Sequence, residues 1–162
     1  MRSKDSEMIT DLGEFLVSKH PFSVLQFITG MMIGWTHFEK NKQPSKSDID
    51  LAWNNYFRLL RNSIDKRLLL ISNQRDSHTR QKVLSPPPQV YEKKVLDDVI
   101  VRLGKMSSDD AINFIVEVTT NWCFSIPINF LPLLPIDSIA ENDEAIANAI
   151  YEWFVRYCDL WP

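Results

Sequence analysis

Three histidines, His20, His37 and His78, are the side chains best suited to proton transfer or metal binding near neutral pH. The residues three positions before them are Val17, Gly34 and Arg75, so no Glu-x-x-His pair is available for a di-iron bundle. An H-E-x-x-H zinc motif is also absent, and His37 with Glu39 is a lone neighbour pair at a helix end. The two cysteines, Cys123 and Cys158, lie outside any C-x-x-C or zinc spacing. Cys123 stands between Trp122 and Phe124 and reads as a buried, inert thiol, while Cys158 flanks an apolar helix face. There is no G-x-S-x-G elbow. Four scattered glycines cannot build a phosphate-binding loop. The acid pairs Asp97-Asp98, Asp109-Asp110 and Asp143-Glu144 are adjacent in sequence, so on a helix they point about 100° apart and do not converge on one proton or metal. A Cys–His or Ser–His site assembled across the fold stays open. With no metal, cofactor or catalytic residue to assign, the chain is expected not to be an enzyme.

Charge is the remaining chemical signal. Residues 1–82 carry 13 basic and 9 acidic side chains, a net of +4, whereas residues 83–162 carry 5 and 12, a net of −7. Such asymmetry favours a partner of opposite sign on one half of the molecule. The basic half concentrates Arg58, Arg61 and Arg67, followed by Arg75 and Arg80. That pattern suits phosphate contacts, with residues 72–84 as an arm. Trp53, Tyr56 and Phe57 lie on or beside the apolar seam, so they read as core residues and not as base-stacking platforms. The acidic half is more selective. At 100° per residue, Ile139, Ile146, Ile150, Trp153, Tyr157 and Trp161 share one sector about 80° wide near the C-terminus. Asp137, Glu141, Glu144, Glu152 and Asp159 share a sector nearly opposite, with Arg156 at its edge. Like charges three or four residues apart cost a few tenths of a kcal/mol, so a one-sign stripe is a small liability that a basic partner would offset.

The elements that must hold these residues are helical. Met8, Ile9, Leu12, Phe15 and Leu16 outline a first helix capped by Asp5 or Ser6, and His20-Pro21 ends it. Pro21 suits the first turn of a second helix, with a seam of Leu25, Ile28, Met32 and Trp35. Its segment His20–Phe38 has no formal charge, but Pro21, Ser23, Gln26, Thr29, Thr36 and two histidines interrupt it. It therefore reads as a buried helix of a soluble protein, in which Gly30 and Gly34 let another helix approach closely. After a polar linker at 39–47, Ser47-x-x-Asp50 opens a third helix over 48–71. Leu68–Ile71 leaves room for one short hairpin. A polar and Pro-rich loop covers 72–90. Val95, Leu96, Val99, Ile100 and Leu103 mark a fourth helix stopped by Gly104. Ser107-x-x-Asp110 starts a fifth, although Val116, Val118, Thr119 and Thr120 carry β-propensity. Three prolines punctuate an apolar loop, 126–136, and a last helix runs from Asp137 or Ser138 to about Asp159.

The expected fold is thus an all-α bundle of about six helices in a single domain over residues 1–162. A chain of 162 residues with 44% hydrophobic content can fill such a core, and five Trp and nine Phe supply its bulk. The N-terminus lacks an apolar leader segment and the two cysteines are too few for a secreted scaffold, which points to the cytoplasm. The expected function is a non-enzymatic protein-binding module whose acidic C-terminal half docks on a basic protein. Its concrete form is an immunity- or antitoxin-type inhibitor that covers the positive cleft of a nuclease toxin. The alternative is a nucleic-acid-binding regulator that uses the 58–82 segment.

Overall fold

The computed structural model describes residues 3–17, 19–40, 45–74, 92–126, 131 and 143–159. These form six helices, α1 (Ser3–Val17), α2 (Pro21–Lys40), α3 (Lys46–Gln74), α4 (Glu92–Gly104), α5 (Ser108–Ser125) and α6 (Asp143–Asp159), with no strand among the described residues. The chain is an all-α bundle whose buried side chains, drawn from all six helices, form one apolar core.

α5 is the axis of the bundle, packing against α1, α2, α3 and α6. Its buried residues run round most of the helix, from Ala111, Phe114, Ile115 and Val118 to Trp122, Cys123 and Phe124. A helix apolar on nearly every side has to be central. That burial overrides the β-propensity of Val116, Val118, Thr119 and Thr120, all of which are helical here. Ser107 caps α5 as expected, accepting a hydrogen bond from the Asp110 N–H at 3.2 Å.

Two helix starts differ from the sequence reading. Asp5 does not cap α1. It lies inside the first turn, only 4% exposed, and Arg102 of α4 donates to its Oδ1 from Nε at 3.1 Å and from Nη2 at 2.8 Å. A guanidinium satisfies a buried carboxylate better than a free N-terminal amide would. The capping box of α3 is Ser45-x-x-Asp48, two residues ahead of Ser47-x-x-Asp50. The Asp48 N–H donates to Ser45 Oγ at 3.1 Å, and the Ser45 N–H donates to Asp48 Oδ2 at 3.3 Å. Both tetrapeptides carry the same chemistry, and the earlier one adds a further half-turn of helix. At its other end α3 continues through Leu68–Leu70 to Gln74, so the hairpin allowed there does not form. The polar linker accordingly shortens, since α2 runs to Lys40 and α3 begins at Lys46. Residues 75–91, most of the Pro-rich loop, and 132–142, where the last helix was expected to begin, lie outside the described residues.

The α1–α2 junction follows the sequence. His20 precedes Pro21, its carbonyl accepts from the Val24 N–H, and its Nδ1 accepts from the Phe22 N–H at 3.2 Å. Val24, Leu25, Phe27, Ile28, Met31, Met32 and Trp35 of α2 are buried. The buried hydroxyls of Thr29 and Thr36 donate to the carbonyls of Leu25 and Met32, at 2.6 and 2.7 Å, so neither is left unsatisfied. Gly30 and Gly34 seat α4 by way of Leu96 and Ile100.

Candidate partner-binding faces

α6 exposes one face and buries the other. Ile146, Ala147, Ile150, Trp153 and Phe154 enter the core. Phe22 of α2 packs edge-on to Trp153 at 5.5 Å between ring centroids and against Tyr157 at 6.3 Å, which fixes one flank of the helix. Glu144 and Glu152 lie on the outward face and are exposed. Glu152 is 3.9 Å from Arg156, one turn on, with both side chains mostly in solvent. Such a pair is worth about 0–1 kcal/mol and leaves the glutamate available. Glu144 has no basic partner among the described residues. Asp159 closes α6, and its side chain, like Asp137 and Glu141 as a whole, lies outside the described residues. The described part of the acidic stripe therefore rests on Glu144 and Glu152, about 12 Å apart along the helix at 1.5 Å per residue.

The basic segment is divided in its roles. Arg61 lies on the α3–α6 seam. It donates from Nη2 to Asn148 Oδ1 of α6 at 2.8 Å, pairs with Asp65 one turn on, and stacks over the Tyr151 ring at 4.9 Å. Arg67 lies on the α3–α5 seam, donating to Asn121 Oδ1 at 2.9 Å and covering the Phe124 ring at 5.7 Å. Both are half-buried clamps between helices, each guanidinium bonding an amide and lying over an aromatic ring of the neighbouring helix. Arg58 is exposed and donates to Asn55 Oδ1 at 2.5 Å. Arg75 and Arg80 lie outside the described residues. A phosphate surface along α3 would have to draw on Arg58 and Lys66, because Arg61 and Arg67 are engaged internally.

α3 and α5 also share a seam of hydroxyls. Tyr56 Oη and Thr119 Oγ1 are 2.5 Å apart in the core. Thr119 spends its one proton on the Ile115 carbonyl at 2.9 Å, so Tyr56 is the donor between them. Two turns further along α3, Ser63 Oγ is 2.8 Å from Thr120 Oγ1, which also reaches the Val116 carbonyl at 2.8 Å. Burial pushes the Tyr56 hydroxyl well above its ordinary titration range, since the phenolate would be stranded in apolar surroundings. Tyr151 is raised by partial burial, against the opposing charge of Arg61. These hydroxyls bind one another and backbone carbonyls, which is the pattern of a satisfied core.

A cavity of about 480 Å³ opens where α2, α3 and the start of α5 meet. Trp35, Leu51, Ala52 and Ile112 give it apolar walls, and Arg58, Asp48 and Asp109 stand among its lining. No signal in the sequence marks this cavity, because its walls come from three helices whose relative placement periodicity does not encode. Among the described residues no three His, Cys, Asp or Glu side chains converge as a metal site. Cys123 is buried and Cys158 half-buried. No described helix is long and apolar enough to cross a membrane.

No family model, curated protein or solved structure matches this chain.

Proposed function

We propose that this protein is a non-enzymatic binding module that docks a basic protein on the outward face of α6. Its form would be that of an immunity- or antitoxin-type inhibitor, laying carboxylates over a positive cleft. The observation that carries the reading is the placement of Glu144 and Glu152. They lie on one exposed face of a helix whose opposite face is locked into the core by Ile150, Trp153 and Phe154. A rigid helix presents charges in fixed positions, which raises association rates and selects against partners of the wrong sign. The internal engagement of Arg61 and Arg67 disfavours the basic segment as the main contact surface.

The test compares capture by the natural chain with capture by Glu144→Lys/Glu152→Lys. Both would be tagged, incubated with lysate of the native host and washed at low and high salt, with bound species identified by mass spectrometry. A basic protein held stoichiometrically by the natural chain and reduced at least tenfold with the variant supports the reading, a loss of about 1.4 kcal/mol or more. Equal capture by both removes the α6 face from consideration. Recovery of nucleic acid alone moves the function to the basic segment.

A further inference from the structure

The outward face of α3 carries exposed leucines at both ends. Leu51 is 70% exposed and Leu69 is 62% exposed. They are 18 residues apart. At 3.6 residues per turn that spacing is five whole turns, so both project in one direction about 27 Å apart. Arg58, Asn62 and Asp65 lie between them, all exposed and within about 40° of the same line. Apolar ends with a polar, two-signed centre form a self-complementary pattern.

We infer that this face binds a second copy of the chain, with the two α3 helices antiparallel about a twofold axis level with residue 60. In a twofold contact each pairing is returned by its mirror image. Leu51 then meets Leu69 of the second copy, and Leu69 meets Leu51. Arg58 faces Asn62 of the second copy, with Asp65 about one turn away. Arg61 engages Oδ1 of Asp65 within its own chain, which leaves Oδ2 to accept from the second copy's Arg58. The cavity joins in, because Leu51 is on its lining and Leu69 of the second copy arrives at its mouth. Charge decides the direction: a parallel pair would set Arg58 against Arg58 and Asp65 against Asp65. The pair forms by mass action, so the dimer fraction rises with chain concentration.

Sedimentation equilibrium of the full chain from low to high micromolar concentration tests this directly. A monomer–dimer equilibrium that Leu69→Asp weakens at least tenfold supports the inference. A monomer at every concentration overturns it, as does a dimer indifferent to Leu69→Asp. A monomer that shifts only on adding a short DNA duplex assigns the face to nucleic acid and also overturns it. The register is tested by mixing Leu51→Cys with Leu69→Cys under mild oxidation. Faster disulfide formation in the mixture than in either variant alone supports the antiparallel pairing. Faster formation within either variant alone overturns it.

Discussion

Ile100 of α4 lies so close over Gly34 of α2 that a Cβ at that glycine would fall 2.8 Å from Ile100 Cγ1, and closer still to Cδ1. One turn earlier, a Cβ on Gly30 would fall 2.9 Å from Leu96 Cδ2. Leu96 and Ile100 are themselves one turn apart, so two side chains of α4 occupy the two gaps that glycine leaves in α2. Gly13 of α1 has no such neighbour within 4 Å.

Adding a methyl group separates these cases. Gly34→Ala gains up to about 1 kcal/mol of helix propensity. It also forces an overpacked contact costing about 1–3 kcal/mol, so the net effect is destabilising. Gly13→Ala meets open space and should stabilise by about 0.5–1 kcal/mol. Urea midpoints of the two variants should move in opposite directions. A Gly34→Ala protein as stable as the natural one would show that α4 does not sit this close to α2.

Asp5 and Arg102 join α1 to α4, elements 97 residues apart in sequence. Removing one partner of a buried pair costs about 3–5 kcal/mol, and the partial exposure of Arg102 lowers that to about 2–4 kcal/mol for Asp5→Ala. Replacing both, as Asp5→Leu with Arg102→Met, should recover most of the loss, because no uncompensated charge remains. Denaturant titration of Asp5→Leu, Arg102→Met and the double variant would measure the coupling. Additive losses would mean that the pair contributes nothing specific.

Tyr56 should make the protein sensitive to alkali. Its folded-state hydroxyl titrates above the ordinary value of 10.0 because of burial. Below about pH 10 the group is protonated in both folded and unfolded chains and its contribution is constant. Above that, the unfolded chain releases a proton that the folded chain retains, so stability falls as pH rises. Tyr56→Phe removes this term at the cost of one hydrogen bond, about 0.5–1.5 kcal/mol at neutral pH. Urea midpoints between about pH 8 and about pH 11 should therefore fall more steeply for the natural chain than for Tyr56→Phe. Parallel curves would assign the alkaline loss to Tyr151 and Tyr157, which are also raised by burial.

Trp153 and Phe22 form an edge-on pair but differ in burial, at 6% and 42% exposed. Trp153→Ala should cost about 3–5 kcal/mol as a buried aromatic. Phe22→Ala loses mainly the ring pairing, about 0.5–1.5 kcal/mol, together with part of its burial. Thermal unfolding of each would check the order. A near-neutral Trp153→Ala would mean that this side of α6 is free to meet a partner.

What could be read from the sequence was whatever is local and periodic. The seam of α2, the His20-Pro21 break, the Ser107 cap and the close approach at Gly30 and Gly34 each depend on residues within a few positions of one another. The Asp5–Arg102 pair and the cavity beside Trp35 depend on how distant helices meet, which no short spacing encodes. The start of α3 differs from the Ser47-x-x-Asp50 expectation for another reason. Two overlapping Ser-x-x-Asp boxes carry equal local chemistry, and only the length of the helix distinguishes them. Of the acidic stripe, Glu144 and Glu152 stand where the periodicity placed them, exposed on the face opposite the core. The roles of Arg61 and Arg67 are not legible in the sequence, because a helical wheel does not reveal which arginine has an amide across the seam.

That distinction is open to measurement. Arg61 and Arg67 each donate to an amide on another helix and cover an aromatic ring. A charged hydrogen bond contributes about 1.5–3 kcal/mol when well made, and a half-exposed one less. Arg61→Ala and Arg67→Ala should each lose about 1–2 kcal/mol by denaturant titration, since the ring contact is lost along with the bond. Lys66→Ala, between them on the exposed side of α3, should stay within about 0.5 kcal/mol. The two arginine variants should also leave any weak binding to DNA almost unchanged, because their charges face neighbouring helices and not a groove. If either arginine proved dispensable for stability yet steepened the salt dependence of DNA binding, its place would be on a phosphate surface, and the acidic face of α6 would lose its priority.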